Sequence, residues 1–164
     1  MSDLLDLAAR VEALTASDRK VDVAVALVLT DQFFNAGPKY DGAPDRIGIL
    51  RDGESVVPGN GAADRFVPQY TASLDAAMTL IPEGWAISAL SMWPASPEGA
   101  DKPSQPQASV NLLGTSLKRF GREIVWGHGG GKDGKAKADA ATPALALTTA
   151  CLRAIARLKA EAEV

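Results

Sequence analysis

The sequence predicts an α+β domain in which an antiparallel meander of about three or more strands is sandwiched between helical layers, an αβα sandwich. Three observations point there. Apolar residues recur at helical spacing at the beginning and end of the chain, whereas between residues 85 and 126 they alternate with period two, as in strands. The 29 alanines against nine aromatic residues predict thin helices that lie close to a sheet. At 164 residues the chain is expected to be a single domain with a lean core.

Each element has its own signal. Leu4, Leu7, Ala8, Val11 and Leu14 share one helical face that Ser2 can cap. Ser17 can cap a second helix, with Asp18 in its first turn complementing the helix dipole. The segment after it reads two ways. Val21, Val23, Val25, Leu27 and Leu29 alternate like a strand, while Val21, Val25 and Val28 also make a helical stripe. About residues 35–68, six glycines and four prolines predict a long loop, inside which Ile47–Leu50 and an Asp52-Gly53 turn suit a small hairpin. Ser73 can cap a short helix with Leu74, Ala77, Met78 and Ile81 inward, stopped at Pro82.

The strand region follows. Trp85, Ile87, Ala89 and Trp93 alternate with Ala86, Ser88, Leu90 and Met92, which predicts a strand covered on both faces. Residues 94–106, with four prolines, read as a loop. Residues 107–112 alternate as a strand with one wet face, and Phe120 to Trp126 as a third strand. The Gly/Lys segment 127–137 has the composition of a flexible linker. Thr142 and Pro143 then open a final helix with Leu147, Cys151, Ala154, Ile155 and Leu158 on one face.

Composition excludes several classes. No apolar run approaches the ~18 residues of a membrane span, and the first residues include Asp3 and Asp6 rather than a basic signal region, so no membrane partner and a cytoplasmic location are expected. A single cysteine, Cys151, and a single histidine, His128, exclude an intrachain disulfide, a thiolate zinc cluster and any site needing two imidazoles. A net charge of -3 argues against direct nucleic-acid binding. Gly127-His128-Gly129-Gly130-Gly131-Lys132 fails as a phosphate loop, because Trp126 and Asp133 stand where a glycine and a Ser or Thr are required. No catalytic signature, metal site or cofactor motif is legible, although Asp41, Asp45, Asp52 and Asp64 are loop carboxylates available to a metal. Residues 118–137 carry a local charge of +4 that attracts anions.

Asp18-Arg19 with Asp22 three positions on, the run Tyr70-Thr71-Ala72-Ser73-Leu74-Asp75-Ala76-Ala77, Pro82-Glu83-Gly84-Trp85, and Ala141 to Leu147 resemble the bacteriophage ABA sandwich domain family. Its members are small phage and prophage proteins with a sheet between helical layers. The resemblance covers about residues 3–34, 68–93 and 139–156, and it implies that residues 21–34 are helical. It transfers an architecture and no catalytic residues.

The functional expectation combines these strands of argument. A phage-like origin, a local basic segment, and aromatic and arginine side chains that stack on a base suggest a non-catalytic protein that binds a small anionic ligand. The ligand class is a nucleotide-derived signal of the host's antiviral defence, met in the host cytosol by a homo-oligomer. The residues expected to contact it are Arg19, Tyr70, Ser73, Trp85, Arg122, Trp126 and Lys132. The alternatives are a protein-interaction module that uses the two long loops against a host protein, and a small nucleotide hydrolase.

Overall fold

The computed structural model describes residues 2–30, 33, 47–49, 56–58, 65–95, 107–114, 117–120, 123–126 and 135–162, with the strands at 56–58, 117–120 and 123–126 described by their backbone. The elements in order are α1 (Ser2–Glu12), α2 (Arg19–Val28), β1 (Ile47–Ile49), β2 (Val56–Pro58), β3 (Arg65–Phe66), α3 (Leu74–Met78), β4 (Trp85–Trp93), β5 (Gln107–Gly114), β6 (Leu117–Phe120), β7 (Glu123–Trp126), β8 (Lys135–Ala140) and α4 (Pro143–Ala162). The fold is α+β, and every described strand pair is antiparallel. The main sheet has the order β4-β5-β8, a smaller one β2-β1-β3, and β6-β7 forms a separate two-stranded ribbon.

Alanine sets the spacing between helix and sheet. On one face of the main sheet Ala136, Ala138 and Ala140 of β8 stand opposite Leu112, Val110 and Ala108 of β5, and all six are buried. Alternate residues share a face in a strand, so Lys135, Lys137 and Asp139 occupy the opposite, wet one. Above the alanine face lies α4, which packs on β5 and β8 and also on α1 and α3. It is consequently buried around most of its circumference from Ala144 to Ala156, the pattern of a central helix. Arg153 anchors it at one side. The guanidinium makes a two-pronged ion pair with Glu12 of α1, at 3.0 and 2.7 Å, and donates to the Lys137 carbonyl of β8, so one side chain joins helix, helix and sheet.

Several local expectations hold. Of residues 21–34, which the resemblance makes helical, those up to Val28 lie in α2, Ser73 caps α3 by accepting from the Ala76 amide at 3.2 Å, and Thr142 caps α4 by accepting from the Leu145 amide at 3.3 Å. Residues 47–49 and 56–58 form the small hairpin. Gly84 takes φ 77°, a left-handed value that favours glycine, as the Pro82-Glu83-Gly84 turn enters β4.

Other expectations are corrected. The cap of α2 is Asp18 rather than Ser17, because Asp18 adopts the extended cap conformation and its carboxylate reaches the amides of Lys20 and Val21. Met78 is exposed, and Ala76 is buried in its place. The third strand of the main sheet is β8, which begins within the segment 127–137 whose composition suggested a linker, while the expected strand at 120–126 is divided between β6 and β7. Finally, among the described strands β4 is an edge strand, and most of its residues are exposed rather than covered on both faces.

Because α4 rests on alanines, added volume at the sheet must displace it. Ala138→Leu is expected to destabilise the protein by about 1–3 kcal/mol, read from the urea midpoint; an unchanged midpoint would show that α4 and β8 are not closely packed.

Candidate functional site

The N-terminus of α2 and the segment before α3 are bound together by a buried polar clasp. Asp18 Oδ1 accepts from the amides of Lys20 and Val21 at 2.8 and 3.4 Å, and one turn later Asp22 is fully buried. Asp22 accepts from the Thr71 amide at 2.8 Å through Oδ1 and from Arg19 Nη1 at 3.0 Å through Oδ2. The planar fork of Arg19 then spreads onto the carbonyls of Pro68 and Val67, at 3.0 and 2.9 Å, a geometry that a lysine does not reproduce. The Asp18 amide donates to Thr71 Oγ1 at 3.0 Å. From α4, Thr148 Oγ1 donates to the Tyr70 carbonyl at 2.9 Å.

The reason lies in the backbone. Between β3 and α3 the buried chain is not part of a regular ladder, so its polar groups need other partners, and α2 and α4 supply them. Burial pushes the Asp22 carboxyl above the ordinary carboxylate range, opposed by the Thr71 amide and the Arg19 guanidinium.

Beside the clasp opens a cleft of about 300 Å³, near the lower end of the size range of ligand pockets. Its walls are Ser17 ahead of α2, Thr71, Ala72 and Leu74 around the start of α3, and Thr142, Pro143 and Ala144 at the start of α4. Two of the four motifs quoted above, remote in sequence, thus line one cavity, together with Ser17, the residue that precedes a third. Two full helices begin there. Both ends are capped, α2 by the charged Asp18 and α4 by the neutral Thr142 hydroxyl, so the helix dipole without a capping charge is that of α4. A second cavity, about 320 Å³ and largely apolar, lies between the C-terminal ends of α2 and α4 against Leu29, Ile155 and Leu158. A third, about 210 Å³, adjoins Glu12 and Asp139.

Of the expected contact residues, Arg19, Tyr70 and Ser73 lie in the segments that form the cleft and serve its frame: Arg19 in the clasp, Tyr70 with its ring buried, Ser73 as a cap. Trp85 packs partly buried against the core at the start of β4. Arg122 and Lys132 lie outside the described residues, and Trp126 is on β7, described by its backbone. The wall residues Ser17, Thr71 and Thr142 were not singled out as contacts, because a capping hydroxyl has the same local signature whether or not it also faces a cavity.

Reactive groups are withdrawn from solvent. Cys151 is fully buried, and burial pushes its thiol up to about 12, so the nucleophilic thiolate is suppressed. Burial raises the Tyr70 hydroxyl too. Among the described residues no group of three or more His, Cys, Asp or Glu converges as a metal site, and no helix is long and apolar enough to cross a membrane. Asp41, Asp45, Asp52, Asp64 and His128 lie outside those residues. No protein-family model, curated protein or solved structure matches the chain.

The raised carboxyl of Asp22 has a signed consequence. The folded state holds this proton more tightly than the unfolded state, so the contribution is fully present below 3.8, the ordinary value, and is lost as pH rises through the folded-state value. Asp22→Asn keeps an acceptor for the Thr71 amide and removes the titration. Urea midpoints measured from pH 3 to 7 should show a declining component in the parent protein that D22N lacks; curves of identical shape would contradict the assignment.

Proposed function

We propose that the protein is a non-catalytic binding protein that sequesters a small anionic, nucleotide-like ligand in the cleft beside the Asp22 clasp. The observation that carries this reading is the convergence of Ser17, of Thr71, Ala72 and Leu74, and of Thr142 to Ala144 on one cavity. Helix α4 directs its N-terminus there, capped by a neutral hydroxyl rather than a carboxylate, and a helix N-terminus favours negative charge through its dipole. The hydroxyls of Ser17 and Thr142 offer further polar contacts, and Ala72 and Pro143 offer apolar surface to a base.

The resemblance to phage sandwich proteins makes a nucleotide-derived signal of host defence the first ligand class to examine, with the cytosol as the place of action. The basic residues Arg122 and Lys132 belong to this proposal as sources of attraction for an anion at modest salt. The loop surface of the interaction-module alternative and the carboxylates of the hydrolase alternative fall mostly or wholly outside the described residues.

Thermal shift against inorganic phosphate, mononucleotides, cyclic dinucleotides and ADP-ribose derivatives tests the reading. At a ligand concentration one hundred times its dissociation constant, binding stabilises by about 2.7 kcal/mol, a rise in Tm on the order of 5–10 °C for a domain of this size. Ala72 is exposed in the cleft wall, so Ala72→Trp should fold and abolish the shift. No shift with any of these compounds, or one that A72W leaves intact, would refute binding at this site.

A further inference from the structure

The two edges of the main sheet are built differently. On β8 the residues Lys135, Lys137 and Asp139 alternate with alanine, the charged edge by which sheets resist pairing with another chain. On β4 the nine residues Trp85 to Trp93 include no charge and no proline. Its outer edge has no strand partner among the described residues. Leu90, Met92 and Trp93 are 40%, 66% and 53% exposed, and α4 rests on β5 and β8, so among the described residues this end of β4 stands open.

We propose that β4 is the interface through which two copies of this chain join into a continuous six-stranded antiparallel sheet, related by a two-fold axis at Ser91. The register follows from the strand itself. A shift in the β4–β5 pairing between Ile87 and Ala89 marks a bulge at Ser88, which leaves 89–93 as the regular part of the strand. Residues directly opposite one another project to the same face, so Leu90 and Met92, paired with Val110 and Ala108, share the helix-covered face, and Ala89 and Trp93 share the other. A two-fold axis at Ser91 sets Leu90 against Met92, Ala89 against Trp93, and Ser91 against itself. Exposed apolar side chains meet each other, the largest meets one of the smallest, and no like charges face across the axis.

A second copy is the occupant because this segment complements itself about its own centre, as an isologous two-fold interface requires. The assembly also stops there. The outer edges of the six-stranded sheet are the two β8 strands, whose alternating charges oppose further addition, so the product is a closed dimer rather than a fibre. This inference does not depend on ligand binding at the cleft.

Sedimentation velocity and light scattering of the full chain at micromolar concentration should give twice 17.1 kDa. Leu90→Lys with Met92→Lys places positive charges opposite one another and should yield monomer, with at least a tenfold loss of self-affinity and an unchanged circular dichroism spectrum. Leu90→Lys with Met92→Glu opposes unlike charges across the axis and should restore the dimer. Opposed residues of an antiparallel pair lie about 4.5–5.5 Å apart between Cα atoms, within disulfide range, so Ser91→Cys should cross-link under mild oxidation while Asp139→Cys on the other edge should not. A monomeric parent protein, or a dimer that resists both lysines and does not cross-link through S91C, would overturn the proposal.

Discussion

A buried carboxylate organises this protein. Asp22 has no exposed surface, and an ion removed from water is strongly unfavourable unless it is paired and hydrogen-bonded. Arg19 and the Thr71 amide meet that requirement only when α2 lies against residues 67–71. The carbonyls of Val67 and Pro68 depend in turn on Arg19, and Thr148 ties the next residues to α4. Losing one member therefore leaves several polar groups without partners. The cleft inherits its geometry from this arrangement, since Thr71 belongs to the clasp and to the cavity wall alike.

The remaining architecture follows from side-chain size. Alanine at 136, 138 and 140 lets α4 lie close over β5 and β8, and Glu12 with Arg153 closes α1 over the same region. Close approach has a cost in coverage. A helix seated over two strands does not shield the third, and the second half of β4 keeps its apolar side chains in water. In a domain with so lean a core, that uncovered strand is a reservoir of burial available to association.

The cleft and the strand edge are separate surfaces with separate chemistry. The cleft combines hydroxyls, small side chains and a helix N-terminus, suited to a small polar ligand. The strand edge is extended, uncharged and self-complementary, suited to backbone pairing. Cys151 and the Tyr70 ring, by contrast, belong to the packed interior, where burial disfavours their ionised forms.

The helices and caps were legible because their signals are local. The spacing of Leu4, Leu7 and Val11, the hydroxyls of Ser73 and Thr142, and Pro143 act within a turn or two of the residue itself. Arg19 and Asp22 stand three apart near a helix start, close enough to pair, but nothing local separates a buried pair from a solvated one. The strand at 135–140 does alternate alanine with charge, yet the preceding glycines give the whole segment the composition of a linker. At 120–126 an apparently continuous alternation concealed the end of one strand and the whole of another. Sequence thus dictated which segments become helix or strand wherever neighbours along the chain supply the hydrogen bonds and the apolar face. Tertiary structure alone decided that Asp22 is buried, that distant segments share a cavity and that β4 lies at an edge among the described strands, because each depends on which remote segment stands opposite, and periodicity within a segment carries no record of its partner.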